Sequence, residues 1–501
     1  MGAYVIGVDS GTQGVKAVVV EIDTGRIVGR GQAPHASLQG LPPGASEQDP
    51  GVWVAALKKA LAAAMAGPSS PDPKRIAAIG ISGQQHGFVP LDAKGRVIRP
   101  AKLWNDTSTV AETEGLIKAL GGPDGVREKT GLALAVGFTA SKILWLKAHE
   151  PENYARLRTV LLPHNYLNYI LTGVARMEYG DASGTGLMDI RRRIWNPEAA
   201  AAIDPGLFSC LPSLHPPSEP VGRLRKEFAD EFGLGDVLVA AGSGDNMMGA
   251  IGTGNVSPGM CTISLGTSGT IYSYASKPPV DPKGEIAGFC DGTGAWLPLL
   301  CTMNVTNVTE IWKSVLGLDN AGRDALAAKA PAGAAGLVFL PFVDGERVPV
   351  LPDASAVFFG LNRSNFDSAH MTRAVMEGTL LNLGYGLGRL REFGLDPAEI
   401  RATGGGSQSR FWLSLAADIF QTPVVTLAEP EGAAYGAALQ AIWNWRNARG
   451  EKTGIGDLAR DLVRTSGDPV EPNPANREIY AERQARYNSL WKVLIPEFKK
   501  G

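Results

Sequence analysis

Much of the usual vocabulary of function is missing from this chain. Cysteine occurs only at Cys210, Cys261, Cys290 and Cys301, never as CxxC, and six scattered histidines form no HExxH. The common zinc patterns are excluded, which leaves reduced, mostly buried thiols in a cytoplasmic protein as the plain expectation. No apolar run reaches the roughly 18 residues needed to span a bilayer. The N-terminus lacks a basic stretch followed by a long apolar one, so no signal peptide is expected, and Ile6 stands where myristoylation requires Ser or Thr. Lysine and arginine number 48 against 50 acidic residues. That balance offers no electrostatic case for nucleic acid or an anionic membrane. The common phosphate and nucleophile motifs fail as well. There is no GxxxxGK[ST]; "GSGDNM" and "GGGSQS" break GxGxxG at its last position; "GTSG" and "GISG" lack the GxSxG spacing.

Glycine, by contrast, is abundant at 62 residues, which implies many tight turns or places where backbone approaches a ligand. A chain of 501 residues is too long for one core and should divide into domains. Strand-like runs ("RIAAIGISG", "VLVAAGSGD", "CTISLGTSG", "GLVFLPFVDG", "EIRATGGGS", "TPVVTL") alternate with helix-length amphipathic ones, the signature of α/β architecture. The last of these, "NREIYAERQARYNSLWKVLIPEF", places Tyr480, Tyr487, Leu490 and Leu494 near one face and is expected to pack back on the body. An internal repeat is more informative. "YVIGVDSGTQGVKAVVVE" and "GMCTISLGTSGTIYSYAS" both read as strand, Gly-Thr-x-Gly turn, strand. Two similar halves are expected, 1–250 and 251–501, joined within "MMGAIGTGNVSPG".

Three glycine-rich strand ends remain as phosphate cradles: Gly11-Thr12-Gln13-Gly14, Gly266-Thr267-Ser268-Gly269 and Gly404-Gly405-Gly406-Ser407. Each has a bland alternative as a turn that closes a strand. Asp9 can be a hairpin cap, Asp245 in "GSGDN" a helix cap, and His86 an ordinary structural hydrogen-bond partner. Two phosphate hairpins in duplicated halves, with a later strand ending in GGG, describe the actin-like (ribonuclease H-like) ATPase fold. In that fold, duplicated α/β domains hold ATP in the cleft between them. The chain resembles the FGGY carbohydrate kinases over nearly its whole length. The resemblance rests on "GVDSGTQGVKAVV", "SEQDP", "ISGQQHG", "LWND", "GSGDNMMGAIG", "LGTSGT", "DGERVP", "TGGGSQS" and the signature "AVFFGLNRSNFDSAHMTRAVME". "SEQDP" and "QHG…LWND" point to its ketopentose kinases.

The resemblance implies ATP-dependent, Mg²⁺-assisted phosphorylation of D-xylulose at its terminal hydroxyl, in the cytoplasm. It implies no nucleic-acid or membrane partner and leaves a homodimer as the candidate assembly. Asp245 takes the place of the base that accepts the hydroxyl proton, and Asp9 that of the carboxylate holding Mg²⁺ or its waters. Thr12, Gln13, Gly266, Thr267 and Ser268 fall on the phosphate path. Gly404, Gly405, Gly406 and Ser407 fall beneath adenine and ribose. Gln85, His86, Trp104, Asn105, Asp106 and Asn246 form the sugar side. Gln85 replaces the family's common Met, and His164-Asn165 replace its usual Lys-Asp pair. Both departures leave open a kinase for another pentulose such as ribulose, a tetrulose or a sugar acid. Arg347 in "DGERVP" reads first as structural or domain-clamping and second as catalytic. An actin-like ATPase without a sugar and a non-catalytic sugar-binding regulator are the readings from other classes. The first would lack "QQHG" and "LWND", and intact Asp9, Thr267 and Asp245 argue against the second.

Overall fold

The computed structural model describes residues 3–67 and 69–500. The apolar runs gather into two seven-stranded sheets. The first contains β1 (Tyr4–Ser10), β2 (Gly14–Glu21), β3 (Ile27–Pro34), β4 (Ile76–Gly83), β5 (Gly222–Arg223), β6 (Leu238–Val239) and β7 (Ser243–Gly244). Its order is β5-β6-β4-β1-β2-β3, with β7 also on β4. The second contains β8 (Met260–Leu265), β9 (Gly269–Ser273), β10 (Ala287–Cys290), β11 (Trp296–Thr302), β12 (Glu399–Thr403), β13 (Val424–Leu427) and β14 (Thr465–Val470). Its order is β10-β11-β9-β8-β12-β13-β14.

The two plans coincide. Hairpins β1-β2 and β8-β9 are antiparallel, and each continues antiparallel to a third strand, β3 or β11. The first strand of each hairpin runs parallel to a later one, β4 or β12, and that strand parallel to the next, β6 or β13. The repeat read in the sequence is thus a duplicated topology. β1 is buried from Val5 to Val8, as a strand covered on both faces should be.

Seven helices carry the rest of the argument: α1 (Pro50–Met65), α2 (Pro163–Thr172), α3 (Asp245–Gly252), α4 (Ser368–Glu392), α5 (Arg410–Phe420), α6 (Gly432–Ala448) and α7 (Arg477–Phe498). Asp49 caps α1 by accepting the Gly51 N–H at 2.8 Å, with Pro50 at the first helical position, where a missing N–H is harmless. α7 does pack back: Tyr480, Tyr487, Leu490 and Trp491 are buried in the core of the second half.

α6 behaves otherwise. It follows β13 of the second sheet, yet Ala434, Ala437, Ala438, Ala441 and Ile442 belong to the first half's core, as do Leu458 and Leu462 farther on. Gly7 of β1 and Gly80 of β4, partners in the ladder, have no room for a β-carbon because the α6 backbone at Ala434, Ala437 and Ala438 lies against them. α3, which leads from the first half into the second, crosses α6 at similarly close range. A β-carbon on Gly436 would run into the Met248 carbonyl, and one on Gly252 into that of Gly432. Small residues let two helix backbones touch where any side chain would hold them apart. Gly436→Ala is therefore expected to destabilise the fold by about 1–3 kcal/mol or more, seen as a lower urea midpoint. An unchanged midpoint would mean the crossing relaxes freely.

Two surface ion pairs join the first hairpin region to the segment entering α6: Lys16–Glu431 at 2.9 Å and Arg30–Glu429 at 2.5 Å. Exposed pairs of this kind contribute little stability, on the order of 0–1 kcal/mol each. The four cysteines are unpaired. Among the described residues no helix is long and apolar enough to cross a membrane.

Candidate active site

A cavity of about 980 Å³ is lined from both halves. Asp9 stands at its edge because β1 ends there: the ladder sets it against Lys16 of β2 and Ser82 of β4. Ser82 Oγ donates to Asp9 Oδ1 at 2.8 Å, and the second oxygen accepts no hydrogen bond from the described residues. Burial pushes this carboxyl above its ordinary pKa; Ser82 and Lys16 oppose the shift and Glu431 adds to it. Among the described residues no cluster of three or more histidine, cysteine or acidic side chains could hold a metal. One free carboxylate oxygen nevertheless fits Mg²⁺, which binds through one or two carboxylates while substrate phosphates and water complete its shell.

Asp245 is the first residue of α3, and Gly244 occupies the cap position with no side-chain cap bond. The aspartate is therefore not a helix cap. Its Oδ1 accepts from the Asn246 N–H at 2.8 Å and Nδ2 at 3.0 Å, which leaves Oδ2 without a side-chain partner in the cavity wall. Burial lifts its pKa to about 7, with the negative charge of Asp9 as the next cause and Asp181 a lesser one. Two buried carboxyls, both shifted upward, share one cleft, and such perturbation marks functional sites more often than structural ones.

Gln85 and His86 follow β4. Gln85 Oε1 accepts from Asn246 Nδ2 at 2.8 Å, while its Nε2 is buried with no partner. His86 holds a left-handed backbone, φ 59°, and its carbonyl accepts from Lys142 Nζ at 2.7 Å and Thr139 Oγ1 at 3.2 Å. Its ring lies 4.8 Å from that of Phe138 and 5.5 Å from that of Phe289, so the second half helps to wall the pocket. Burial, with the cations Lys142 and Arg347, lowers the imidazole pKa to about 3. The ring is a neutral hydrogen-bonding wall at any working pH.

The "LWND" residues separate. Trp104 lines the cavity and its Nε1 donates to Thr12 Oγ1 at 3.1 Å; Thr12 in turn donates to Gln84 Oε1 at 3.2 Å. Gln48 of "SEQDP" anchors this chain, its Nε2 donating to the Thr12 carbonyl at 2.7 Å. Asn105 is exposed and does not line the cavity. Asp106 is fully buried behind the wall, where it accepts from Lys102 Nζ at 3.1 Å and the Ser46 N–H at 2.9 Å. Burial lowers the pKa of Lys142, the residue that grips the His86 carbonyl, to about 7, and the charge of Asp106 partly opposes that fall.

In the first turn, the Gly11 N–H is held by the Gly14 carbonyl at 3.0 Å, and Gln13 is exposed. The second turn is freer. The Gly266 carbonyl accepts from the Thr306 N–H at 3.0 Å and that of Thr267 from Val305 at 3.3 Å. The N–H groups of Thr267 and Ser268 donate to nothing among the described residues. Ser264, Ser268 and Thr270 add hydroxyls to the cavity. Gly404 crosses directly over Leu265, whose backbone a β-carbon would meet at 2.8 Å, and Gly406 is pressed by the Trp412 ring. Gly405 faces open space and Ser407 Oγ is tied to the Gly404 carbonyl at 2.7 Å. The need for glycine at 404 and 406 comes from the protein's own packing.

Several site residues carry no sequence signal. The loop from Ala133 to Phe138 lines the cavity, as do Phe289 and Cys301, and runs of Ala, Leu and Val announce no chemistry. His164 and Asn165 lie in the first turn of α2, fully buried. His164 Nδ1 meets Asp181 Oδ2 at 2.7 Å, and Asn165 Nδ2 meets His164 Nε2 at 2.9 Å. The residues that stand in place of Lys-Asp are thus part of a buried hydrogen-bonded network.

Two like-folded lobes, a paired-carboxylate cleft between them and an open Gly-Thr turn define an actin-like phosphotransferase. The comparisons with known proteins agree. The N-terminal domain model of the FGGY family of carbohydrate kinases matches residues 4–252 and the C-terminal domain model residues 261–445. A xylulose kinase of Haemophilus influenzae is 44% identical over 488 residues, 96% of this chain and 98% of that protein. A solved structure described as a "xyloylose kinase" from Brucella ovis superposes with a TM-score of 0.90 at 33% identity, covering 98% of this chain and 99% of that one. A gluconate kinase from Lactobacillus acidophilus reaches 0.91 at 25% identity and covers both chains fully, 100% and 100%. The chain belongs to the FGGY family of carbohydrate kinases, enzymes that use ATP to phosphorylate an alcohol group.

Proposed function

We propose that this enzyme transfers the γ-phosphoryl group of ATP to the terminal hydroxyl of D-xylulose, forming D-xylulose 5-phosphate and ADP. The observation that carries the reading is Asp245: a cleft carboxylate with one oxygen uncommitted, placed beside the amides and imidazole of a sugar pocket. Gln85, His86 and Asn246 supply the polar groups for a ketose, and Trp104, Phe138 and Phe289 its apolar walls. Asp245 accepts the hydroxyl proton as the oxygen reaches phosphorus. Because the transition state is loose, its main contribution is to orient the attacking oxygen. The N–H groups of Thr267 and Ser268 receive phosphate oxygens, and Gly404 passes beneath the nucleotide. Asp9 is the residue that would hold Mg²⁺, which when bound neutralises charge on the β- and γ-phosphates. Closure of the lobes keeps water from competing with the sugar. A cytoplasmic setting fits four thiols that form no disulfide.

A second reading, a kinase for another pentulose, a tetrulose or a sugar acid, is favoured by one observation. The buried, unpartnered Gln85 Nε2 can read an oxygen that a thioether would ignore. A panel of D-xylulose, D-ribulose, erythrulose and gluconate, assayed by coupled ADP release, decides between them. D-Xylulose is expected to lead in kcat/KM by at least about tenfold, since a site built from hydrogen bonds discriminates strongly against a mismatched hydroxyl. A different leader would establish the second reading, and ADP release without any sugar would overturn both.

A further inference from the structure

We propose that Arg347 is a catalytic residue whose guanidinium donates to the non-bridging oxygens of the phosphoryl group in transit; this rests on the kinase reading above. The charged side chains lining the cavity are Asp9, Asp245, Glu285, Asp344, Glu346 and Glu431 against only Lys16 and Arg347. Such a cleft repels ATP unless a cation answers the phosphates. Lys16 is bound to Glu431 at 2.9 Å. Arg347, among the described residues, has no carboxylate partner, and its side chain is exposed to the cavity.

Its placement suits transfer. The backbone is fixed from below: Glu346 Oε1 accepts the Arg347 N–H at 2.7 Å and the Met303 N–H at 2.7 Å, while Glu346 Oε2 accepts from Asn382 Nδ2 at 2.8 Å. Its charge is felt at two landmarks on the cavity wall. One is Cys301, which lines the same cavity and whose thiol feels the positive charge of Arg347; that residue pairs with Thr270 just beyond the Gly266–Ser268 turn. The other is His86 on the sugar side, which feels its positive charge. Arg347 therefore stands between the phosphate turn and the acceptor pocket. In the step, the sugar oxygen bonds to the γ-phosphorus and its proton passes to Asp245. The bond from that phosphorus to the β–γ bridging oxygen breaks, its electron pair leaving with ADP. Arg347 changes no covalent bond. It receives the charge that builds on the three equatorial oxygens, a role for which five fixed N–H donors are well suited.

The test measures kcat and both KM values for Arg347→Ala and Arg347→Lys with whichever sugar the panel identifies, so an error about the sugar does not touch it. Arg347→Ala is expected to lose about 10²–10³-fold in kcat, with each KM within about threefold and Arg347→Lys between it and the parent. Added guanidinium ion should restore at least about tenfold of the loss in Arg347→Ala and do nothing for the parent, a response that a structural role would not give. A kcat within threefold of the parent overturns the proposal. So does a defect confined to the sugar KM, which would mean Arg347 acts through His86. Thermal unfolding identifies a misfolded Ala variant, in which case the Lys variant decides: a parent-like kcat overturns the proposal and an intermediate one supports it. A parent that phosphorylates no acceptor removes the kinase reading and this one together.

Discussion

Asp245→Ala is expected to remove turnover, by about 10²–10⁴-fold in kcat, while ATP binding measured by calorimetry survives. The reason is the position of Asp245 at the start of α3 with Oδ2 free, where nothing else in the cavity can accept the hydroxyl proton at the same point. Its pKa of about 7 adds a pH signature: the base must be ionised, so the rate should fall about tenfold per pH unit below 7 and level off above it. Near-normal turnover in the variant would end the assignment. Stability should move in the opposite direction. Burial raises the folded pKa from 3.8 to about 7, so the ionised carboxylate weakens the native state progressively as pH rises through that window. Asp245→Asn, which keeps the shape and drops the charge, should melt higher than the parent at pH 8, with the gain shrinking toward pH 4. Loss of activity together with a gain in Tm distinguishes a functional carboxylate from a structural one.

Asp9→Asn is the second large effect. The variant keeps an oxygen for Ser82 but loses the negative charge facing the phosphate path. The Mg²⁺ concentration for half-maximal rate should rise by about 10–100-fold, with a smaller change in the sugar KM. An unchanged Mg²⁺ titration would return Asp9 to the role of a hairpin cap. Because Asp9 also raises the pKa of Asp245, the acid limb of the rate profile should shift toward lower pH in the same variant. That coupling links the two carboxylates through the field between them.

How far the sequence could be read depended on the scale of the feature. Local patterns were enough for the hairpins Tyr4–Glu21 and Met260–Ser273, because strand period and Gly-Thr turns are written within twenty residues. For Asp9, Gln85, His86 and Asp245 local pattern gave only strand-end positions open to bland readings as caps or structural partners, and the family resemblance supplied their roles; the fold sets all four on the cavity wall. What escaped was set by tertiary distance. Asp106 reads like a pocket acid but is consumed by buried Lys102. Asp181, buried against His164, belongs to no motif. The wall from Ala133 to Phe138 is chemically mute until folding brings it beside His86. Gly7 and Gly80 could be seen as glycines within strands, which often signals close approach of another backbone. The helix that approaches them lies more than 350 residues later in the chain, and no local rule names it.

That late helix makes the two lobes interlaced. The first hydrophobic core stays open on one side until Ala434–Ile442 arrive, so during synthesis the leading half must wait, partly unburied, for nearly the whole polypeptide to emerge. A protein built this way gains a rigid pivot and gives up the piecemeal, domain-by-domain maturation open to chains whose cores close in sequence order.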